Sequence, residues 1–391
     1  MKRRHVRTRF LVPFTLVAMV GAWFPRSEGL CQEVMTIEQA RLFEAARAIA
    51  PEQGGFPDYK RAVQILEPMV LEDTRNGPAL FNLGIAHAGL GNFDQAIDFY
   101  SKALAADPDL IKAHAALARL HFRRGNISEG AKVLDSVLPR HPDEPELLNA
   151  RIVMLSGQGK VDEAIQVAKQ VLQINSSAIE TYNLLALLYI ETGNLPLAEF
   201  VLRKAIQVEQ RVPGAIQSAA LRVNLGLTYR AMGREEQAHE YFDMALKIDP
   251  NCPEALSNRA ATALANHDYE AALDDLEIAN LVAPSDPIIL SNLGVALRGI
   301  GDLEGAHAAY QEALRIMPDD LPSIYNLAIL LGDYMQDYAG ALSWYARYLE
   351  LSPGLDAQHP VHAAIFEARR LAPSPETVPQ EPSSTGLPEP H

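Results

Sequence analysis

Five asparagines recur at one position of a regular pattern. Asn224, Asn258, Asn292 and Asn326 follow one another at intervals of 34 residues, and Asn82 occupies the same position of an earlier segment. An asparagine amide carries both hydrogen-bond donors and an acceptor, so it can pair with a peptide unit without reading that unit's side chain. The regular step predicts either a ladder that holds an extended partner backbone or a series of ties between neighbouring helices.

Five basic residues accompany the asparagines. Arg230 and Arg298 share a second repeated position, where we expect them to fix acidic side chains of a partner. Lys112, Arg119 and Arg123 cluster in one segment of a chain whose formal net charge is −15. We predict that these three residues form a basic cradle for an acidic peptide segment. A solvated helix face is the alternative interpretation.

The elements that position these residues follow from a repeated small residue. The spacing is 34 residues throughout, except for 40 between the fifth and sixth positions and 35 before the last. The nine positions are Ala62, Ala96, Gly130, Ala164, Ala198, Ala238, Ala272, Ala306 and Ala341. Apolar residues at helical spacing surround each one, a glycine precedes most of them and a proline follows most of them. This punctuation predicts two helices in every period.

The pattern resembles the tetratricopeptide repeat (TPR) family, whose period is 34 residues. The resemblance covers about three quarters of the chain, and it implies an all-α, right-handed α-solenoid of tandem helix-turn-helix units. It also implies a concave groove that binds other proteins. The asparagines are similar to the ladder in the groove of the O-linked N-acetylglucosamine transferase, which holds extended peptides. The basic cradle is similar to the carboxylate clamp of TPR co-chaperones, but Glu146 stands where that clamp needs a basic residue.

The segments outside the repeats suggest how the chain is organised. Residues 1–29 combine a basic start with a short apolar run, which is typical of a signal peptide cut after Gly29. A cut after Cys31, or an uncleaved membrane anchor, is the alternative. Residues 30–58 are expected to hold a capping helix and a linker, with a capping box at Thr36 and Gln39. The array then spans 59–354, a final capping helix spans 355–371, and a Pro-rich tail expected to be disordered spans 372–391.

Composition and motifs argue against other classes of function. The acidic balance repels phosphate backbones, so no nucleic-acid partner is expected. The sequence contains no phosphate-binding glycine loop, nucleophile elbow, HExxH or paired CxxC motif. His87 and His121 replace aromatic residues and are interpreted as core packing. We therefore predict a non-enzymatic scaffold without cofactor or metal. It is expected to be exported to the periplasm or secreted. We expect it to bind extended or acidic peptides within an envelope complex for motility, secretion or polysaccharide export. An enzyme or metal-binding protein with an unrecognised site is the alternative.

Overall fold

The structure, a computed structural model, describes residues 36–49, 57–211, 217–356 and 358–372. The predicted signal peptide and nearly all of the predicted Pro-rich tail lie outside the described residues. Within those ranges the secondary structure is helical, and no β-strand occurs there.

Nineteen α-helices occupy the described part of the chain. In chain order they are α1 (Ile37–Ile49), α2 (Tyr59–Glu72), α3 (Gly77–Gly89), α4 (Phe93–Ala106), α5 (Ile111–Arg123), α6 (Ile127–Val137), α7 (Pro145–Gly157), α8 (Val161–Ile174), α9 (Ile179–Glu191), α10 (Leu195–Arg211), α11 (Ala219–Ala231), α12 (Glu235–Ile248), α13 (Pro253–Ala265), α14 (Tyr269–Val282), α15 (Pro287–Ile300), α16 (Leu303–Ile316), α17 (Leu321–Ile329), α18 (Tyr338–Leu351) and α19 (Pro360–Leu371).

These helices form consecutive pairs, from α1 and α2 to α17 and α18, and α19 packs on α18. Each of the nine repeated small residues lies in the second helix of its pair, and each is buried. The predicted fold class, all-α with tandem helix-turn-helix units of the TPR type, is thereby confirmed. The chain divides into two compact units, unit 1 (Met1–Ala255) and unit 2 (Leu256–His391).

The first helix begins at the predicted capping box. The Gln39 backbone N–H donates to the Thr36 hydroxyl at 3.1 Å, and the Thr36 N–H donates to the Gln39 side-chain oxygen at 2.9 Å. These reciprocal bonds satisfy two N–H groups that a helix start otherwise leaves unpaired. The prediction at this helix start is confirmed.

Close contact within a pair depends on glycine facing an aromatic ring. A Cβ atom added to Gly226 would lie 2.6 Å from the Phe242 ring, and one added to Gly294 would lie 2.5 Å from the Tyr310 ring. Both rings are fully buried. Because no side chain fits between helix and ring, glycine in the first helix lets the aromatic residue of the second fill the space between them.

The turns within the pairs share one backbone geometry. Gly91 and Gly301 have φ angles of 78° and 92°, in the left-handed region that favours glycine. His267 and Gln336 occupy the corresponding turns of two other pairs and keep positive φ angles of 60° and 59° without being glycine. The neighbouring helices therefore hold the turn even where the residue itself disfavours it.

The two irregular spacings have separate structural causes. Helix α10 has 17 residues, whereas α8 and α12 have 14 each, so part of the 40-residue spacing lengthens a helix. The 35-residue spacing coincides with a π-helical turn, Leu330–Tyr334, between α17 and α18. A π-turn accommodates one extra residue inside an α-helix, so the following helix keeps its buried face.

A buried ion pair links α10 and α11, the two helices on either side of the 40-residue spacing's irregular segment. Glu209 at the end of α10 is 2% exposed, and Arg222 in α11 is 6% exposed. The Arg222 guanidinium donates to one Glu209 carboxylate oxygen, and the Ser218 backbone N–H donates to the other at 2.6 Å. Arg222 also donates to the Ser218 carbonyl at 3.0 Å. The lengthened helix and the start of α11 are thus joined by charge-assisted hydrogen bonds.

Candidate interaction surfaces of the first helices

The five predicted asparagines all lie in the first helix of a pair. Asn82 belongs to α3 and Asn224 to α11, both in unit 1, whereas Asn258, Asn292 and Asn326 belong to α13, α15 and α17 in unit 2. Asn224 is 5% exposed, and the other four are half-buried. The structure therefore separates Asn224 from the three later asparagines by both burial and unit.

Asn224 makes a contact between neighbouring first helices. Its Nδ2 donates to Oδ1 of Asn183 in α9 at 2.7 Å. One pair earlier, the Thr181 hydroxyl donates to Oδ1 of Asn149 in α7 at 2.8 Å, again inside the protein. At Asn224 this geometry supports the interpretation that asparagines tie helices together. Asn183 and Asn149 were missed by the sequence analysis because neither lies on the 34-residue step.

Unit 2 contains a charged contact beside its first asparagine. Arg259 follows Asn258 in α13 and occupies a position that holds leucine in most pairs. Its Nε and Nη2 donate to the two carboxylate oxygens of Asp275 in α14 at 2.7 and 2.6 Å. A two-pronged pair of this kind fixes the guanidinium plane. The helix that presents Asn258 is thereby braced against its own partner helix.

The two repeated arginines both lie over aromatic rings. Arg230 sits 5.9 Å from the centre of the Phe242 ring, and burial lowers the pKa of its guanidinium. Arg298 sits 5.4 Å from the centre of the Tyr334 ring. Its buried Nη1 has no hydrogen-bond partner among the described residues. A buried guanidinium N–H is costly without an acceptor, and the contact with the Tyr334 ring offsets part of that cost.

The predicted basic cradle is accompanied by two acids. Arg119 donates to a carboxylate oxygen of Glu180 in α9 at 2.7 Å. Burial raises the pKa of Glu146, and the neighbouring charges of Lys112 and Arg119 oppose that shift. These two cations and two acids form one balanced group, which we call the charged cluster. Its balance weakens the case for an acidic ligand at this place, because the cations already have counter-charges.

Arg123 lies apart from the charged cluster. Its guanidinium stands 5.0 Å from the centre of the Phe93 ring at the start of α4. The adjacent Arg124 forms an ion pair with Asp94 of the same helix. The end of α5 is thus directed toward the preceding pair, so the structure brings together two of the three predicted cradle residues.

His87 and His121, which the sequence analysis named, and the buried Cys252 occupy packing environments. The His87 ring stacks on Phe99 at 5.1 Å between ring centres, and burial lowers the pKa of both His87 and His121. Burial likewise raises the pKa of the Cys252 thiol above its ordinary value, which disfavours the reactive thiolate. Across the described ranges, no group of three or more metal-binding side chains comes together. These environments match the packing interpretation of the histidines.

None of the helices in the described residues combines the length and apolar character that crossing a bilayer requires.

Comparison with known proteins identifies the same repeat family that the helix pairs indicate. Family models described as tetratricopeptide repeat match residues 52–109, 87–151, 177–251 and 257–320, which together cover more than half of the chain. A chain in the crystal structure of the APC/C hetero-tetramer Cut9–Hcn1 superposes with a TM-score of 0.62 and 15% identity. That match covers 85% of this chain and 63% of the other, and it supports the fold alone.

Two relatives are similar over part of their length. The human protein O-mannosyl-transferase TMTC1 is 24% identical over 220 residues, which are 55% of this chain and 24% of the transferase. Protein FlbA of Caulobacter vibrioides is 26% identical over 295 residues, which are 74% of this chain and 42% of FlbA. The chain thus corresponds to less than half of each relative.

Proposed function

Because the chain belongs to the tetratricopeptide repeat family, we propose that it is a non-enzymatic scaffold that holds extended segments of other proteins against the first helices of unit 2. The observation that carries this proposal is the recurrence of Asn258, Asn292 and Asn326 in three successive first helices, each half-buried. Arg298 lies on the same helix as Asn292 and adds a positive charge to that helix. A peptide backbone offers carbonyl and N–H groups with which asparagine side chains can pair.

The asparagine ladder predicts a large loss of affinity on truncation. A peptide selected from a displayed random library on the purified protein serves as the probe. Each backbone hydrogen bond contributes on the order of 1 kcal/mol, so replacing Asn258, Asn292 and Asn326 together by alanine is expected to weaken binding about a hundredfold. Fluorescence anisotropy of the labelled peptide measures this loss. Its sequence preference should change little, because backbone pairing does not read side chains.

The control is Asn266→Ala, which removes an exposed asparagine from a turn of the same unit. It should leave affinity unchanged. Unfolding of every variant in urea is measured in parallel. Unchanged affinity in the triple variant, combined with lower stability, would show that these asparagines only tie one repeat to the next, as Asn224 does in unit 1.

We propose further that the scaffold works outside the cytoplasm, in the bacterial periplasm or as a secreted protein. This proposal is supported by the basic start and short apolar run of residues 1–29. The mature protein is expected to begin within about two residues of position 30. Mass spectrometry of the N-terminal peptide, from protein expressed with its complete N-terminus, measures this. An intact Met1 in the membrane fraction would indicate a retained anchor instead.

A further inference from the structure

Unit 1 contains an open apolar groove that the asparagine pattern does not involve. Three first helices, α5, α7 and α9, line this surface, which we call the apolar groove. Its lining residues are Phe122, Ile152, Val153, Ser156, Leu184, Leu187, Leu188 and Glu191. Phe122 and Leu187 are half-buried and so remain accessible, whereas Ile152 and Val153 form the buried floor. The groove therefore offers apolar contact area to a side chain from outside.

A glycine shapes one wall of the groove. A Cβ atom on Gly157, the last residue of α7, would collide with the Phe122 ring. The missing side chain lets Phe122 of α5 lie against α7 and close the groove on that side. This wall thus depends on one glycine, which provides a way to disturb the groove without touching its charges.

The electrostatics of the groove favour a cation. Glu191 is the one charged side chain among the lining residues, it is exposed, and it accepts a hydrogen bond from the Ser156 hydroxyl at 3.1 Å. Phe122, Ser156 and Glu191 each lie in the last turn of their helix, so three helix C-terminal ends meet at the groove. Helix C-termini carry partial negative charge, which adds to the carboxylate.

Three cations in α5 and at its C-terminal end are already engaged. Arg119 is paired with Glu180 in the charged cluster, Arg124 is paired with Asp94, and Arg123 covers the Phe93 ring. The groove thus combines an apolar floor with an acidic end that these cations do not neutralise. This combination favours a cationic ligand, which is opposite in charge to the acidic ligand that the basic cradle predicted for the same part of the chain.

We propose that the apolar groove binds a peptide segment in which a lysine or arginine follows an apolar side chain. The apolar side chain contacts Phe122 and Leu187, the accessible apolar residues of the groove, and the cation pairs with Glu191. This inference rests on the proposed scaffold function, but it concerns a different surface, in unit 1, and a partner that is read through its side chains rather than its backbone.

The test uses synthetic peptides and the whole chain. A fluorescein-labelled peptide GSLALLKSG is compared with GSLALLESG, which differs only in the charge, and with GSSASSKSG, which lacks the apolar side chains. We expect the lysine peptide to bind about fivefold more tightly than the glutamate peptide, because an exposed ion pair contributes little. That preference should shrink as salt is raised. The serine peptide should bind at least about tenfold more weakly than the lysine peptide, because the apolar contact is lost.

A charge reversal in the protein makes the result specific. Glu191→Lys is expected to invert the preference, so that the glutamate peptide binds more tightly. Glu240→Lys makes the same change at an exposed position of α12 in the same unit and should leave the preference unchanged. Gly157→Ala should weaken both leucine peptides equally, because it displaces Phe122 and changes no charge. Circular dichroism of each variant confirms that it is folded.

Two results would overturn the inference. Equal affinity for the lysine and glutamate peptides would show that Glu191 does not select a cation. Equal affinity for the serine and leucine peptides would show that the apolar floor is not a binding surface. Either failure leaves the asparagine experiment in unit 2 unaffected, because that experiment uses other residues and a library-selected peptide. Unchanged affinity in the triple asparagine variant, with the charge preference intact in unit 1, would reject the ladder alone.

Discussion

Replacing Glu209 by alanine is expected to lower the free energy of unfolding by about 3–5 kcal/mol, because it leaves the buried Arg222 charge without its counter-ion. Both side chains are almost fully enclosed, and the carboxylate also accepts the Ser218 backbone N–H. Water cannot replace either bond without opening the junction between α10 and α11. Urea unfolding followed by circular dichroism, together with hydrogen exchange at α10 and α11, measures the loss and locates it.

The contribution of the two charges to stability can be measured separately from that of the volume their side chains fill. Arg222→Ala should destabilise by a similar amount, because the Glu209 carboxylate is then the unpaired charge. The double variant Glu209→Leu and Arg222→Met removes both charges and keeps most of the volume, so it should recover most of the stability. A Glu209→Ala variant within about 1 kcal/mol of the parent would contradict this account and would mean that water enters the junction freely.

Replacing Tyr310 by alanine is expected to cost about 3–5 kcal/mol in unit 2, because it empties the space beside Gly294. The ring is fully buried and belongs to the core that α16 shares with α17 and α18. Deleting it removes the apolar contacts of the ring and leaves a cavity that rigid helices close only in part. The midpoint and slope of urea unfolding, compared with the parent, measure the effect.

The partner glycine provides a test in which the sign of the effect changes. Gly294→Ala in the parent protein should destabilise, because its Cβ would lie 2.5 Å from the Tyr310 ring. In the Tyr310→Ala background the same change should stabilise, since the methyl group enters the cavity and alanine favours the helix by about 1 kcal/mol over glycine. Destabilisation of equal size in both backgrounds would show that the two residues are not coupled.

The sequence was most informative where the period repeats and least informative where two distant residues meet. Glycine, small residues and proline at fixed offsets indicated every helix pair, and Thr36 with Gln39 indicated the first helix start, because these signals act within a few residues. The pairing of Arg119 with Glu180, by contrast, joins residues 61 positions apart. Repeat spacing alone does not show which side chains reach each other across a neighbouring helix, so the cradle was predicted without Glu180.

Repeat spacing also failed to predict which contacts the residues of the candidate sites make. Asn224 and the three asparagines of unit 2 are equivalent by spacing. Asn224, however, donates a hydrogen bond to Asn183, a residue that does not follow the 34-residue spacing. The ion pair of Glu209 and Arg222 was hidden for a similar reason, because it lies at the irregular junction where the period is broken. The apolar groove also escaped detection, since its leucines and isoleucine look like ordinary core residues until their exposure is known.

The π-helical turn at Leu330–Tyr334 has a consequence for how such a chain can change by mutation. One residue added inside an α-helix rotates everything after it by about 100°, which would turn buried side chains outward. Here the extra residue is contained within a single turn, and Ala341 of α18 is still fully buried. We therefore expect the fold to tolerate the gain or loss of one residue within this turn. The same change one turn earlier is expected to turn the buried side chains of the helix outward. Both departures from the 34-residue period in this chain thus lie at helix ends, one after the first helix α17 and one at the end of the second helix α10.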